Sequence, residues 1–213
     1  MINIGSGVQY DVYDIGNNRV RKIESSFFQK IYRFHKIAPK YKIYRHPLHN
    51  IKTSIEAAKI TRQSINGLKD SYKKIDLVLL GNPILINDSN YEQDFVSVFE
   101  DVLYASDFEQ QKVLIDEYLN NLLSCWDYGF SDTNFNFTVN CGVTRDGKVI
   151  LIDLGELSWD KNFVRGLVEE RHWEMRSSYN RLRDEKLKDY VRNLFRKEAT
   201  VSTFKNRWGS KFR

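Results

Sequence analysis

The first half of the chain mixes short strand-like runs with two amphipathic helical patterns. Strand-forming residues around the turn signal Gly16-Asn17-Asn18 predict an antiparallel hairpin close to the N-terminus. Apolar residues at helical spacing then predict two helices that are separated by prolines. The predicted elements of this half are a hairpin over 2–23, helices over 25–37 and 51–68, and strands over 77–80, 84–86 and 94–99.

The second half begins with the longest helical pattern of the chain. It covers residues 107–126, where Asp107 is a suitable N-cap and Gly129 lies just past the end. An Asp146-Gly147 pair between two apolar runs is typical of a hairpin turn. The predicted elements here are strands over 135–143 and 149–152, followed by a mostly helical region over 162–197.

This order of elements predicts an α+β fold made of two lobes. The N-terminal lobe, residues 1–103, is expected to hold a small antiparallel sheet with inserted helices. The C-terminal lobe, residues 104–213, is expected to be a reduced helical lobe that carries the second hairpin. A chain of 213 residues is long enough to bury a core of this size.

The composition is that of a globular protein, with 41% hydrophobic and 29% charged residues. No run of about 18 apolar residues occurs, so no membrane span is predicted. The first residues also lack the pattern of a secretory signal. Cys125 and Cys141 have no metal-ligand spacing, which favours buried thiols over a disulfide and predicts a cytoplasmic location.

The net charge of +5 comes largely from two basic segments, residues 30–52 and 192–213. Basic segments that also contain aromatic residues are typical of proteins that contact nucleic acid or another phosphate-bearing partner. Solvated helix faces have the same composition, so the sequence leaves both interpretations open.

The strongest chemical signal is a hydrophobic strand that ends at Asp153 and is followed by Leu154 and Gly155. The strand places a carboxylate at its exposed end, and Gly155 lets the backbone turn sharply. Hard cations such as Mg²⁺ prefer oxygen ligands, so Asp153 is a candidate metal ligand.

The N-terminal hairpin resembles the glycine-rich loop of the protein-kinase-like superfamily. Gly5, Gly7 and Val12 match that loop, whereas Tyr10 stands at the position of its third glycine. Lys22, in a Val-Arg-Lys triplet on the return strand, resembles the lysine that contacts the α- and β-phosphates of ATP. The resemblance implies that a nucleotide binds at these residues.

The second hairpin resembles the metal-binding part of the same superfamily. There, an asparagine and the aspartate of an Asp-Phe-Gly triplet hold Mg²⁺, and Asn140 and Asp153 match this pair in spacing. Glu56, the only acid of the predicted 51–68 helix, is the candidate for the carboxylate that positions the lysine. The resemblance covers residues 2–156. It implies a two-lobed kinase-like fold, closest in style to small aminoglycoside-phosphotransferase-like kinases, with ATP and Mg²⁺ as cofactors.

The resemblance breaks at the catalytic loop. The superfamily has an aspartate five residues before the metal-binding asparagine, and Phe135 occupies that position. The nearest acid is Asp132, which a longer loop would present as a base or which caps a turn. Asn136 is a rival of Asn140 as metal ligand, and Glu156 is either a further metal ligand or a salt-bridge partner.

Three functions follow as hypotheses. The leading one is an ATP-dependent phosphotransferase in which Lys22, Glu56 and Asp132 are catalytic. Only 57 residues follow Glu156, too few for a peptide-docking lobe, so an unidentified, non-protein acceptor is expected. The alternatives are a pseudokinase that binds or scaffolds, which Phe135 favours, and a nucleic-acid-binding protein that uses the basic segments.

Overall fold

The structure is a computed structural model that describes residues 1–7, 9–37 and 47–212. The strands are β1 (Ile2–Ser6), β2 (Tyr10–Gly16), β3 (Arg19–Glu24), β4 (Ile84–Leu85), β5 (Tyr91–Asp94), β6 (Ser97–Val98), β7 (Ser131–Asp132), β8 (Cys141–Val143), β9 (Val149–Leu151) and β10 (Leu157–Ser158). The helices are α1 (Phe27–Ile37), α2 (Pro47–Ser71), α3 (Phe99–Ala105), α4 (Phe108–Asp127), α5 (Phe137–Asn140), α6 (Lys161–Glu169), α7 (Ser177–Asn180), α8 (Glu185–Glu198) and α9 (Val201–Arg207).

The N-terminal part contains an antiparallel sheet of five strands in the order β1-β2-β3-β5-β4. The β2–β3 turn places Asn17 and Asn18 at φ values of 53° and 58°, as the turn signal in the sequence predicted. Gly5, Val12 and Lys22 lie in one row across the sheet, and Tyr91 of β5 continues that row. Directly opposed residues of antiparallel strands point to the same face, so these four side-chain positions share one face.

The C-terminal part is built around α4, which begins after its cap Asp107 as the sequence predicted. The β8–β9 hairpin and helices α8 and α9 pack against α4. Aromatic side chains fill the contacts: Phe195 of α8 stacks on Tyr118 at a ring-centroid distance of 5.8 Å, and Phe204 of α9 meets Trp126 at 5.2 Å. The fold is therefore α+β, with an N-terminal antiparallel sheet and a mainly helical C-terminal part.

Two predicted strands have a different structure. Residues Leu77–Leu80 form a 3₁₀ helix, because the Asp76 carboxylate caps its start and Gly81, at φ 65°, ends it. The predicted strand over 135–143 is a strand only from Cys141 onwards. Before it, Phe135 has a left-handed backbone at φ 49° and the short helix α5 follows. Apolar runs of this length do not by themselves distinguish strands from short helices.

The segment 94–99 is divided between elements. β5 ends at Asp94, β6 pairs with β8 of the C-terminal part, and α3 begins at Phe99. The predicted lobe boundary after residue 103 therefore falls within α3. Cys125 and Cys141 are buried free thiols, as predicted. Within the described ranges, no helix combines the length and the apolar character needed to cross a bilayer.

Replacing Phe195 by alanine is expected to lower the free energy of unfolding by about 3 to 5 kcal/mol, because a fully packed ring is lost and a cavity forms. Phe163→Ala is the matched control, since that ring is 53% exposed and its loss is expected to cost under about 1 kcal/mol. Urea denaturation of both variants measures the difference. Equal losses in the two variants would contradict the assigned core.

Candidate active site

Backbone hydrogen bonds join the loop 132–140 to the segment 152–157. At one end, β7 pairs with β10, with Asp132 opposite Leu157, and the Thr133 amide donates to the Glu156 carbonyl at 3.0 Å. At the other end, the Asn140 carbonyl accepts the amides of Ile152 and Asp153 at 2.8 and 3.2 Å. The residues that the sequence singled out in these two segments are thereby held side by side.

Asp132 is completely buried at the start of this loop. Its Oδ1 accepts the Asn134 amide at 3.0 Å, whereas its Oδ2 is buried without a hydrogen-bond partner among the described residues. Burial raises the pKa of Asp132 to about 6, and the negative charge of Asp153 adds to the rise. Asp132 therefore caps a turn with one oxygen, and its other oxygen is left without a partner among the described residues.

Glu156 is a second acid in the same place. Its Oε2 accepts hydrogen bonds from the side-chain amides of Asn134 at 2.6 Å and Asn140 at 2.8 Å. Burial raises the pKa of Glu156 to about 7, with further contributions from Asp153 and Asp132. The charges of Asp153 and Asp132 thus act on Glu156, and the charge of Asp153 also acts on Asp132.

Asp153 and Asn140 are adjacent, as their predicted role as metal ligands requires. One oxygen of Asp153 accepts the Gly155 amide at 3.0 Å. The side-chain nitrogen of Asn140 donates a hydrogen bond to Glu156. The side-chain oxygen of Asn140 is therefore the atom suited to a metal. The described residues contain no group of three or more His, Cys, Asp or Glu side chains arranged to hold a metal ion. A cation at this site therefore also needs oxygen atoms from a ligand, as Mg²⁺ obtains from nucleotide phosphates.

Asn136, the rival metal ligand, has a different role. Its side-chain oxygen accepts hydrogen bonds from the hydroxyls of Ser177 and Ser178 and from the Ser178 amide, at 2.8 to 3.2 Å. Phe135 beside it is buried in the core, with 2% of its surface exposed. The predicted strand over 135–143 is therefore wrong before Cys141, and these contacts bind the loop to α7 instead.

Lys22 projects from the sheet towards the segment before Asp153. Its Nζ donates a hydrogen bond to the Ile152 carbonyl and lies 5.6 Å from the centroid of the Tyr91 ring. The Tyr91 hydroxyl in turn lies 3.3 Å from the Ile152 carbonyl and the Leu154 amide. Burial lowers the pKa of Lys22 to about 8, while Asp153 opposes that shift. Lys22 is therefore close enough to Asp153 for their charges to interact.

The structure does not bring Glu56 to Lys22. Glu56 lies on the exposed side of α2, where its nearest ion-pair partner is Lys52 at 4.0 Å. The side of α2 that faces the candidate site carries hydroxyl groups instead. Ser64 donates to the Leu154 carbonyl at 2.5 Å and accepts the Leu157 amide at 2.8 Å. The orientation of α2 about its axis points Ser64 towards the segment 154–157 and Glu56 towards solvent.

The loop that follows Gly5 and Gly7 approaches the segment around Asp153. Thr61 of α2 donates a hydrogen bond to the Gln9 side-chain oxygen at 2.5 Å. A Cβ atom on Gly155 would lie only 2.7 Å from that oxygen, so the end of the Gln9 side chain would have to shift. In contrast, a Cβ on Gly5 would meet no atom within 4 Å, and one on Gly7 only an oxygen at 3.9 Å. Local packing among the described residues therefore does not explain the two N-terminal glycines.

Sequence reasoning missed two residues of the site, Tyr91 and Thr61. Tyr91 binds the backbone groups described above, and Thr61 contacts Gln9. Both had no signal in the sequence, because they come from parts of the chain distant from the loop 132–140. Asn134, which binds Glu156, had a signal in its place between Asp132 and Asn140. Arg176, which the charges of Glu156 and Asp132 attract, had one in its place in the predicted helical region 162–197.

Comparison with protein-family models found none that matches this chain, and no curated protein is significantly similar to it. The functional argument therefore depends on the geometry of the chain itself.

Lys22→Met is expected to stabilise the ligand-free protein by about 1 to 2 kcal/mol at pH 7. A shift of the lysine pKa from 10.5 to about 8 corresponds to roughly 3 kcal/mol, part of which is offset by the lost hydrogen bond and ring contact. Because the folded-state pKa is lowered, the stability of the unmodified protein rises between pH 8 and 10.5. The advantage of the variant should shrink over that range. Chemical denaturation of both proteins at pH 8 and pH 10.5 tests this. A difference in the free energy of unfolding that stays constant between the two pH values would contradict a charged, buried Lys22.

Proposed function

We propose that this chain is an ATP-dependent phosphotransferase with a two-lobed, kinase-like fold that acts on a non-protein acceptor. One observation carries the proposal: backbone hydrogen bonds join the loop 132–140 to the segment 152–157, and the charge of Asp153 acts on Asp132 and on Glu156, whose carboxylate binds the side-chain amide of Asn140. Lys22 approaches the same place from the N-terminal sheet. A carboxylate, a metal-ligand pair and a buried lysine are the groups that phosphoryl transfer uses.

Each group has a role that its chemistry supports. Lys22 offsets the negative charge of the nucleotide phosphates, and the open backbone at Gly5 and Gly7 lets these phosphates approach. Asp153 and the side-chain oxygen of Asn140 would hold Mg²⁺, which would screen the phosphate charges when bound. With a pKa of about 6, Asp132 is largely ionised at pH 7 and can accept a proton.

The reaction is a substitution at the γ-phosphorus of ATP. A bond forms between an acceptor hydroxyl oxygen and that phosphorus, and the bond to the β–γ bridging oxygen breaks. The electron pair of the broken bond leaves with ADP. The hydroxyl proton passes to the carboxylate of Asp132 and from there to water. Positioning and electrostatic stabilisation supply most of the catalysis in such reactions.

A nucleotide-binding module without transfer is the second candidate. The position of Glu56 favours it, because no carboxylate of α2 positions Lys22, whose Nζ is bonded to the Ile152 carbonyl. The two candidates agree on nucleotide binding and differ only in turnover, so the same variants distinguish them.

A nucleic-acid-binding role has less support. Part of the first basic segment lies outside the described residues, at positions 38–46. In the described part, Lys30 pairs with Glu24 and Arg33 with Asp11. In the C-terminal segment, the pairs include Arg192 with Asp189, Arg196 with Glu174 and Arg207 with Asp127. Basic side chains that already form ion pairs with acids of the same chain are less able to contact phosphates.

Asp153→Asn is expected to abolish the stabilisation of the protein by ATP and Mg²⁺. A ligand that binds only the native state at 100 times its Kd stabilises it by about 2.7 kcal/mol, which the loss of a metal ligand removes. Thermal unfolding with and without Mg-ATP and with EDTA measures this. Asp70→Asn, on an exposed turn of α2, is the matched control and should retain the full shift. An unchanged shift of the unfolding midpoint by Mg-ATP in Asp153→Asn would contradict the assignment of Asp153 as a metal ligand.

Asp132→Asn is expected to retain Mg-ATP stabilisation but to lower the rate of ATP turnover by about 100-fold or more, because the proton acceptor is lost. Release of phosphate from ATP, with water as the acceptor, is the assay that needs no knowledge of the natural substrate. Turnover equal to that of the unmodified protein would exclude Asp132 as the base. Nucleotide binding with no turnover in the unmodified protein would favour the binding module.

A further inference from the structure

Arg176 is held beside the loop 132–140 by a buried polar network. Asn136 accepts hydrogen bonds from Ser177 and Ser178, and the Ser178 hydroxyl accepts the Thr138 amide at 3.0 Å. Ser178 and Thr138 are fully buried, so these bonds are shielded from water. Arg176 immediately precedes these serines, and its position relative to the loop is therefore fixed.

The guanidinium of Arg176 is only partly used by the fold. Its Nε is buried and has no hydrogen-bond partner among the described residues. Glu156 and Asp132 attract its charge, but neither forms an ion pair with it within 4.0 Å in the described structure. Arginine remains protonated even where burial lowers its pKa. The side chain thus carries a positive charge that Glu156 and Asp132 attract, and a buried donor without a partner among the described residues.

Asp132 has the complementary free group. Its buried Oδ2 has no hydrogen-bond partner among the described residues, although the side chain is completely shielded from solvent. Buried polar groups are nearly always paired, so a free acceptor on Asp132 and a free donor on Arg176, two side chains whose charges interact, indicate a ligand that satisfies both. A hydroxyl group donates to a carboxylate, and an oxyanion accepts from a guanidinium.

We propose that Arg176 selects the acceptor of the reaction, which is a small hydroxyl compound that also carries a phosphate group. The acceptor hydroxyl donates to Asp132, and its phosphate binds Arg176. This inference rests on the proposed phosphotransferase function and adds the acceptor class to it. A cationic acceptor is not expected, because an arginine beside the acceptor hydroxyl would repel it.

Inorganic phosphate is the simplest probe of this site. The protein is first saturated with Mg²⁺ and a non-hydrolysable ATP analogue, which occupies the position of the transferred phosphoryl group. Phosphate binding is then titrated by ³¹P NMR in the unmodified protein and in Arg176→Gln, Arg176→Lys and Arg165→Gln. Arg165 is an exposed arginine of α6 and is the matched control.

Arg176→Gln is expected to weaken phosphate binding by about 10-fold or more, and Arg176→Lys to restore part of it, because charge-assisted hydrogen bonds to phosphate are lost or reduced. Arg165→Gln should bind as the unmodified protein does. Thermal unfolding of Arg176→Gln should show an unchanged midpoint without ligand and an unchanged Mg-nucleotide shift. A purely structural role of Arg176 would instead lower the midpoint.

Two results would overturn the inference while leaving the proposed function intact. The first is phosphate binding of equal strength in Arg176→Gln, or no binding to the unmodified protein, with the Mg-nucleotide shift retained. The second is Arg176-dependent binding with Mg-ADP but not with the ATP analogue, which would assign Arg176 to the transferred phosphoryl group. Absence of any Mg-nucleotide shift in the unmodified protein would contradict both the function and the inference.

Discussion

The backbone pairing between the loop 132–140 and the segment 152–157 is the interaction on which the candidate site depends. The Asn140 carbonyl accepts two amides at one end, and Thr133 bonds to Glu156 at the other. Leaving a buried backbone group unpaired costs about 1 to 3 kcal/mol, so these bonds fix the two segments against each other. Asp132, Asp153 and Glu156 all belong to these segments. Their spacing is therefore set by the backbone and does not depend on flexible side chains.

That arrangement concentrates buried charge at a cost in stability. The pKa values of Asp132, Glu156 and Lys22 are all shifted towards the neutral form, chiefly by burial. The aromatic contacts of α4 with α8 and α9 stabilise the fold that carries these groups. A cation and a phosphate-bearing ligand would supply the missing opposite charges. Strained or destabilised groups of this kind are concentrated at functional sites.

Helix and hairpin positions could be predicted from the sequence where local signals were strong. Helix α4 begins after Asp107, and the Asn17-Asn18 and Asp146-Gly147 turns lie between strands as expected. The prediction was wrong for 77–80 and for most of 135–143. In the first case a side-chain cap decided the structure, and in the second the contacts of Asn136 with α7, forty residues later, decided it. The candidate residues Lys22 and Asp153 could be singled out because Lys22 lies on a correctly predicted strand and Asp153 lies just after one.

The sequence by itself determined the order of elements, the α+β class and the identity of the candidate metal-ligand pair, because these depend on periodicity and spacing within short stretches. Tertiary structure alone decided which side chains face the site. The rotation of α2 turned Glu56 outward and Ser64 inward, and the packing of α7 brought Arg176 towards Asp132. Both depend on contacts between residues far apart in the chain, and local patterns carry no information about such contacts.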